Sequence, residues 1–547
     1  MIAQPPAASP ATSRRTFFKL GSIGLAGLTA PLGAQALGGG FTHGVASGEP
    51  GPSSVLLWAR CVGDAEIALE WQVAEDADFA RIVSEGFAKA SPQRDWCAKA
   101  VADGLTPNRW YYYRFIAPDG SMSDIGHTRT LPDGPVAQWR MAVFSCSNFG
   151  FGWFNAYAHA AEAGDFDMVV HTGDYLYEYQ QGSYPDAPLD GRELAPSHEI
   201  VSLTDYRLRH ASYRSDPDLR RLTQLYPMVM GWDDHESAND SYAGGAENHQ
   251  PATEGAWTVR KGAAMRAYRE WLPVSDEPWA RYDIGELATL FRLETRLTAR
   301  SQPPSLTELL KGAVSRDDMS ARLAAFREGD YADPARTVLG EAQEQWLAEG
   351  LRDSRRSGRT WQVLAQQVVM GASSTPLELV EGLAATAPNW LRPRLIAAAA
   401  ASRAGLPSNM DAWDGYPAAR ERLLAAARTA DANLITLTGD THNAWAFALA
   451  HAGEPAGVEF AGQSVTSPGF EAYLTALPPG DLAGAMVARN PQLEWADTSQ
   501  RGYMAVELTP QRASCEWRFM AGVRERSTRL AATHRMESAA GSNRFTA

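Results

Sequence analysis

Four clusters of polar residues carry the candidate chemistry, and each directly follows an apolar run. Cys146 follows Arg140-Met141-Ala142-Val143-Phe144-Ser145, and Asp174 and Tyr177 follow Asp167-Met168-Val169-Val170-His171 within Gly173-Asp174-Tyr175-Leu176-Tyr177. Asp233-Asp234-His235-Glu236 comes after Met228-Val229-Met230, and Asp440 and His442 come after Asn433-Leu434-Ile435-Thr436-Leu437. Carboxylates and a phenolate are hard oxygen donors, His supplies nitrogen and Cys supplies sulfur. That mixture suits a charged metal centre, with trivalent iron fitting where phenolate and thiolate meet. Each residue alone has a plainer explanation: a Gly-Asp turn, a packed Tyr, an inert buried Cys, a helix-capping Asp. Those explanations do not account for four successive clusters of ligand type.

The elements that must position these residues alternate between strand and helix, which predicts an α/β domain with helices covering sheets. In such folds the loops beyond the strand ends converge on one edge, so clusters distant in sequence meet in space. Before this domain, from Phe41 to about Leu131, runs such as Ser54–Arg60, Ile67–Val73 and Trp110–Phe115 are rich in β-branched and aromatic residues and are separated by turn clusters. They predict a small β-sandwich of the immunoglobulin or fibronectin kind. Pro132-Asp133-Gly134-Pro135 reads as the linker. The expected organisation is a leader over residues 1–36, the sandwich over 37–134, the α/β domain over 135–536 and a flexible tail over 537–547.

Composition bounds the rest. A chain of 547 residues with 45% hydrophobic content and 17 Trp has the means to bury large cores, in more than one domain. A formal net charge of −14 argues against a nucleic-acid-binding surface. It does not argue against a phosphate substrate, because metal ions in a pocket reverse the local field. Ser13-Arg14-Arg15-Thr16-Phe17-Phe18-Lys19, a short apolar run and Ala34-Gln35-Ala36 resemble a twin-arginine export signal. The expected partner is the twin-arginine translocase, and the expected destination is the periplasm or the exterior. No later apolar run reaches the ~20 residues of a membrane span. Of the four cysteines, Cys61 and Cys97 both lie in the sandwich region and are candidates for a disulfide.

The order Gly-Asp-x-x-Tyr, then Asp-Asp-His-Glu, then Gly439-Asp440-Thr441-His442, with Cys146 upstream, resembles the alkaline phosphatase D (PhoD-like) family of metallophosphoesterases. Further blocks of that family are Phe41–Gly48, Asp205-Tyr206-Arg207, Trp361–Gln367, Asp411–Tyr416 and Ser464–Gly469. The resemblance runs from about Phe41 to Phe519. It implies a four-layer αββα sandwich and a hydrolase acting on phosphate monoesters, diesters or both through a metal-bound hydroxide. It implies Fe3+ held by Cys146, Asp174 and Tyr177, and Ca2+ or another divalent ion held with Asp234, Asp440 and His442. Where related enzymes of the purple acid phosphatase kind place a further His, this chain has Gln366 and Gln367, a weaker amide donor that favours a harder ion.

His235, next to a ligand position, is the candidate for protonating the leaving oxygen. Arg296, beyond the Ala288–Leu293 run, is the candidate for holding a phosphoryl oxygen. Two other readings stand beside this one. Ser145 or Ser147 would serve a serine-nucleophile phosphatase, and a non-enzymatic phosphate- or metal-binding protein would use the ligands alone.

Overall fold

Runs of four to eight apolar residues become strands wherever both faces find cover. Val55–Val62 and Met168–His171 are buried at every position, the pattern of strands sandwiched between layers. The computed structural model describes residues 40–377, 391–407 and 409–546, so the expected export signal lies outside the described residues.

Two sheets face one another. The central strands of the nine-stranded sheet, Trp139–Phe144, Met168–His171 and Pro227–Met230, are parallel neighbours. In the seven-stranded sheet, Ala288–Arg292, Trp361–Ala365 and Leu434–Thr438 are parallel neighbours as well. Val143, Met168 and Val229 from the first sheet meet Leu290, Val363 and Leu437 from the second in one buried core. Alternate residues point outward. Phe144, Val169 and Met228 pack under helices that include Asn155–Ala163, Leu203–Arg214 and Trp257–Trp271. Phe291, Leu364 and Leu434 pack under Gly340–Arg356, Pro417–Thr429 and Pro479–Arg489. The result is the helix–sheet–sheet–helix sandwich expected, with a strand-rich N-terminal region attached.

That N-terminal region does not keep its strands to itself. Gly40–Gly48, Val55–Val62 and Cys97–Ala102 prolong the nine-stranded sheet, and Ser47 and Gly48 pair in parallel with Pro227 and Met228. A separate four-stranded sheet, Ile82–Ala90, Ile67–Ala74, Trp110–Ile116 and Gly126–Arg129, closes over them. Leu57, Ala59, Trp71 and Tyr113 fill the space between. The sequence break at the Pro132–Pro135 linker therefore does not coincide with a sheet boundary.

The C-terminal end corrects an expectation. Residues from 537 onward were expected to fray, yet Leu530–Ala539 is the edge strand of the nine-stranded sheet. Beyond it Asn543 Oδ1 accepts from Leu434 N at 3.2 Å, and Phe545 packs against the core between the sheets. Small polar residues here follow the turn chemistry of a docked end. Among the described residues no helix is long and apolar enough to cross a membrane.

Cys61 and Cys97 do not pair. Arg60 is the register partner of Cys97, so the neighbouring Cys61 points to the opposite face of the sheet. Cys61 lies in the sandwich core and Cys97 among Ala46, Trp58 and Trp271. All four cysteines are free and buried. Thiol titration of the denatured, unreduced protein is expected to find four reactive thiols per chain; finding two would contradict this arrangement.

Candidate metal centre

The parallel strands of both sheets deliver their C-terminal ends to one edge, and the ligand-type side chains sit just past them. Cys146, Asp174, Asp440 and His442 all adopt left-handed backbone, with φ of 57°, 55°, 64° and 61°. Non-glycine residues seldom take this conformation, and its clustering marks a functional site. Gly173 and Gly439 let the loops crowd together. A Cβ on Gly173 would lie 2.5 Å from Asp233 Cβ, and one on Gly439 would lie 2.5 Å from Ser145 Cβ.

Three overlapping sets of donor atoms result, each within 4.8 Å: Cys146 with Asp174 and His442, Asp174 with Asp234 and His235, and Asp233 with Asp234 and Asp440. Asp174 and Asp234 each belong to two sets, the arrangement of carboxylates shared between neighbouring ions. Tyr177 joins the first set, its hydroxyl 3.2 Å from Asp174 Oδ2 and 3.1 Å from His442 Nε2. Ser467 donates to Tyr177 Oη at 2.7 Å. His442 Nδ1 pairs with the Pro468 carbonyl at 2.9 Å, which leaves Nε2 on the side of the donor set.

The donor set fits metal ions on its own electrostatics. Asp174 Oδ1 is buried with no hydrogen-bond partner among the described residues. Burial, reinforced by the neighbouring carboxylates, pushes Asp174 and Asp440 well above the usual carboxylate range. Burial also pushes the Cys146 thiol and Tyr177 phenol up, with Asp174 adding to both. Burial and Arg501 hold His442 down at about 3, so its imidazole is neutral and ready to ligate. These groups ionise together only around added positive charge, which is what a metal supplies.

Two side chains tie the loops into position. Glu236 accepts from the backbone N–H groups of Asp174 (3.1 Å), Tyr175 (2.6 Å) and Asp233 (2.8 Å), joining the two motifs. Glu178 accepts from His235 Nδ1 at 2.7 Å and from Asn239 N at 2.7 Å, holding the ring over the site. Sequence reasoning did not single out either role, although each residue adjoins a recognised motif. The cavity these groups line has a volume of about 780 Å³ and includes Asp174, Asp234, His235, Asp440 and His442.

Arg296 is placed differently from expectation. Its guanidinium is fully buried and gives its hydrogen bonds to carboxylates: Nε to Asp233, Nη1 to Asp411 at 2.6 Å and Nη2 to Asp440 at 3.0 Å. Three carboxylates take its hydrogen bonds, so in this structure the guanidinium faces the acidic side chains of the centre. Gln366 and Gln367 are committed too. Gln366 Oε1 accepts from Trp413 Nε1 at 2.9 Å, and Gln367 Oε1 accepts from Thr295 Oγ1 at 2.6 Å. Asp233, whose carboxylate no ligand assignment had used, joins Asp234 and Asp440 in the third donor set. Ser145 and Ser147 are buried, and among the described residues neither hydroxyl has a histidine partner to serve as base.

A four-layer sandwich whose strand ends converge on shared carboxylates, His, Tyr and Cys defines a metallophosphoesterase. Comparison with known proteins carries this further. The PhoD-like phosphatase model matches residues 141–517, and the model of the PhoD-like N-terminal domain matches 28–132. Alkaline phosphatase D of Bacillus subtilis (strain 168) is 33% identical over 517 residues, covering 89% of this chain and 78% of that protein. A solved structure, "Structure of PhoD", superposes with a TM-score of 0.75 at 29% identity, over 94% of this chain and 93% of the other. The chain belongs to the PhoD-like phosphatase family and is a metal-dependent phosphate ester hydrolase.

Proposed function

We propose that this hydrolase is an exported enzyme cleaving phosphate monoesters and diesters, with Fe3+ on the sulfur and phenolate side of the centre and Ca2+ on its carboxylate side. The observation carrying the proposal is the convergence of Cys146, Asp174 and His442 with Asp233, Asp234 and Asp440 at one edge of the sheets. Cys146, Asp174, Tyr177 and His442 would hold the iron, and the oxygen-rich group of Asp233, Asp234 and Asp440 suits calcium. The Arg14-Arg15 leader and the likeness to an alkaline phosphatase D support twin-arginine export to the periplasm or beyond.

Metal ions held by these residues would supply Lewis acidity toward water and the phosphoryl oxygens. The chain's own part is positioning and proton delivery. Burial disfavours a charged His235, but the carboxylates of Asp234, Glu178 and Asp174 override it and hold the ring well above its ordinary value. With Nδ1 engaged by Glu178, Nε2 is the atom that gives a proton to the departing alkoxide. His235→Ala is expected to lower kcat by about 10²–10⁴-fold on alkyl esters. The loss should be much smaller on nitrophenyl esters, whose leaving group needs no proton. Equal losses on both would remove the acid role.

The test of the whole proposal is elemental analysis of the purified protein paired with rates on a monoester and a diester. Active protein free of iron would overturn the iron assignment, and absence of turnover on both esters would overturn the activity.

A further inference from the structure

We infer that the preferred substrates carry a single phosphate and an apolar organic substituent, which occupies a cavity beside Asp440 and His442. The inference rests on the phosphoesterase reading above and adds the class of ester. A second cavity of about 470 Å³, within the range of small-molecule sites, opens off the metal cavity. The two share Tyr184, Asp440, His442, Pro468 and Tyr473 in their walls, so an ester bound at the ligands has its substituent at this mouth. The walls beyond are largely apolar, with Val369, Leu395, Phe447, Phe470, Leu474 and Met486 among them, and Ser373, Thr375, Asn409 and Thr441 add polar groups. Four of these, Val369, Phe447, Leu474 and Met486, belong to the core under the outer face of the seven-stranded sheet. Here that core turns toward the catalytic edge and is left open to a ligand.

Charge narrows the substrate further. Arg394 is the only Arg or Lys among the described residues lining either cavity. It sits where the two meet and approaches Glu247 at 3.6 Å. The same walls carry Asp174, Asp186, Asp234, Asp240, Glu247 and Asp440. Metal ions and one guanidinium suffice for one phosphate. A polyanion with repeated phosphates would meet the remaining carboxylates, and a sugar or base would find only Ser373, Thr375, Asn409 and Thr441 beyond the mouth to replace its hydrogen bonds to water.

The experiment is kcat/KM of the metal-loaded enzyme on n-alkyl 4-nitrophenyl phosphodiesters from methyl to octyl, kept below aggregation. Each methylene that enters the cavity is expected to raise kcat/KM by about two- to fourfold. Leu395→Asp, at a half-exposed position that tolerates a polar group, and Met486→Asp are expected to flatten the series. A series flat in the unaltered enzyme, or one equally steep in both variants, overturns the inference while leaving the phosphoesterase reading intact. Absence of turnover on every ester overturns that reading and this inference with it. Comparing a long-chain ester as monomer and in phosphatidylglycerol vesicles separates a free apolar ester from a membrane lipid as the source of the substituent. Faster turnover than the methyl ester in either form supports the inference, and slower turnover in both overturns it.

Discussion

Replacing Asp174 by Asn is expected to cost the enzyme at least about 10³-fold in kcat/KM, the worth of several kcal/mol of metal-derived stabilisation. Asp174 belongs to two of the three donor sets, so its loss unseats neighbouring ions together. Its effect on stability has the opposite sign in the metal-free protein. There Asp174 is a buried carboxylate with one unpartnered oxygen, pushed well above its ordinary range by burial and by Asp234 and Asp233. At neutral pH its ionisation costs stability, and a neutral amide removes that cost. Asp174→Asn should therefore melt higher than the unaltered protein after chelation and gain less from added metal. Elemental analysis, turnover and thermal melts with and without chelator check all three. Normal metal content with full activity would sink the shared-ligand assignment.

Arg296→Ala should give the largest loss of stability among single substitutions at the centre, about 3–5 kcal/mol, because it strands buried carboxylates without their cation. Asp233, Asp411 and Asp440 each accept from it, and Asp234 lies 3.8 Å away. The pH dependence follows from the sign of the shifts. Burial raises Asp234, but Arg296 and His235 override it and leave its carboxyl below its ordinary value. A carboxylate depressed on folding contributes stability above its unfolded pKa and loses it as pH falls. Asp233, pushed up to about 6 by burial, takes a proton first. The gap between Arg296→Ala and the unaltered protein should therefore be widest at neutral pH, begin to shrink near pH 6 and shrink further below about pH 4 as Asp234 follows. Arg296→Lys keeps the charge but not the planar fork, so it should recover part of the stability and little of the activity. Denaturant unfolding across pH measures the gap. A variant as stable as its parent at pH 7 would show that the carboxylates find their compensation elsewhere.

Much of the centre was legible from residue type and position. Cys146, Asp174, Tyr177, Asp234, Asp440 and His442, which the structure brings together, could be picked out because ligand-type side chains followed four buried strands. Glu178 and Glu236 were harder to read, since their tasks are to accept from backbone N–H groups and one imidazole, and those partners come from other loops. Arg296 illustrates the converse. An arginine near a phosphate site has two uses, holding carboxylates or holding substrate, and its closeness to Asp233, Asp411 and Asp440 comes from residues far along the chain. The Gln366 amide was likewise ambiguous until Trp413, 47 residues away, was seen to claim it.

By itself, the sequence determined the local rules: which runs are apolar enough to be buried strands, where glycine permits loops to touch, and which side chains can donate to a metal. Periodicity and residue chemistry are properties of neighbours along the chain, so they survive without coordinates. What only the tertiary structure decided depends on partners brought from afar. It joined Ser47 and Gly48 to Pro227 and Met228, so that the N-terminal strands extend the catalytic sheet. It placed Cys61 and Cys97 on opposite faces, docked the C-terminal strand, and opened an apolar cavity beside Asp440 and His442. Register, facing and cavity shape come from the packing of whole layers, and no window of sequence contains them.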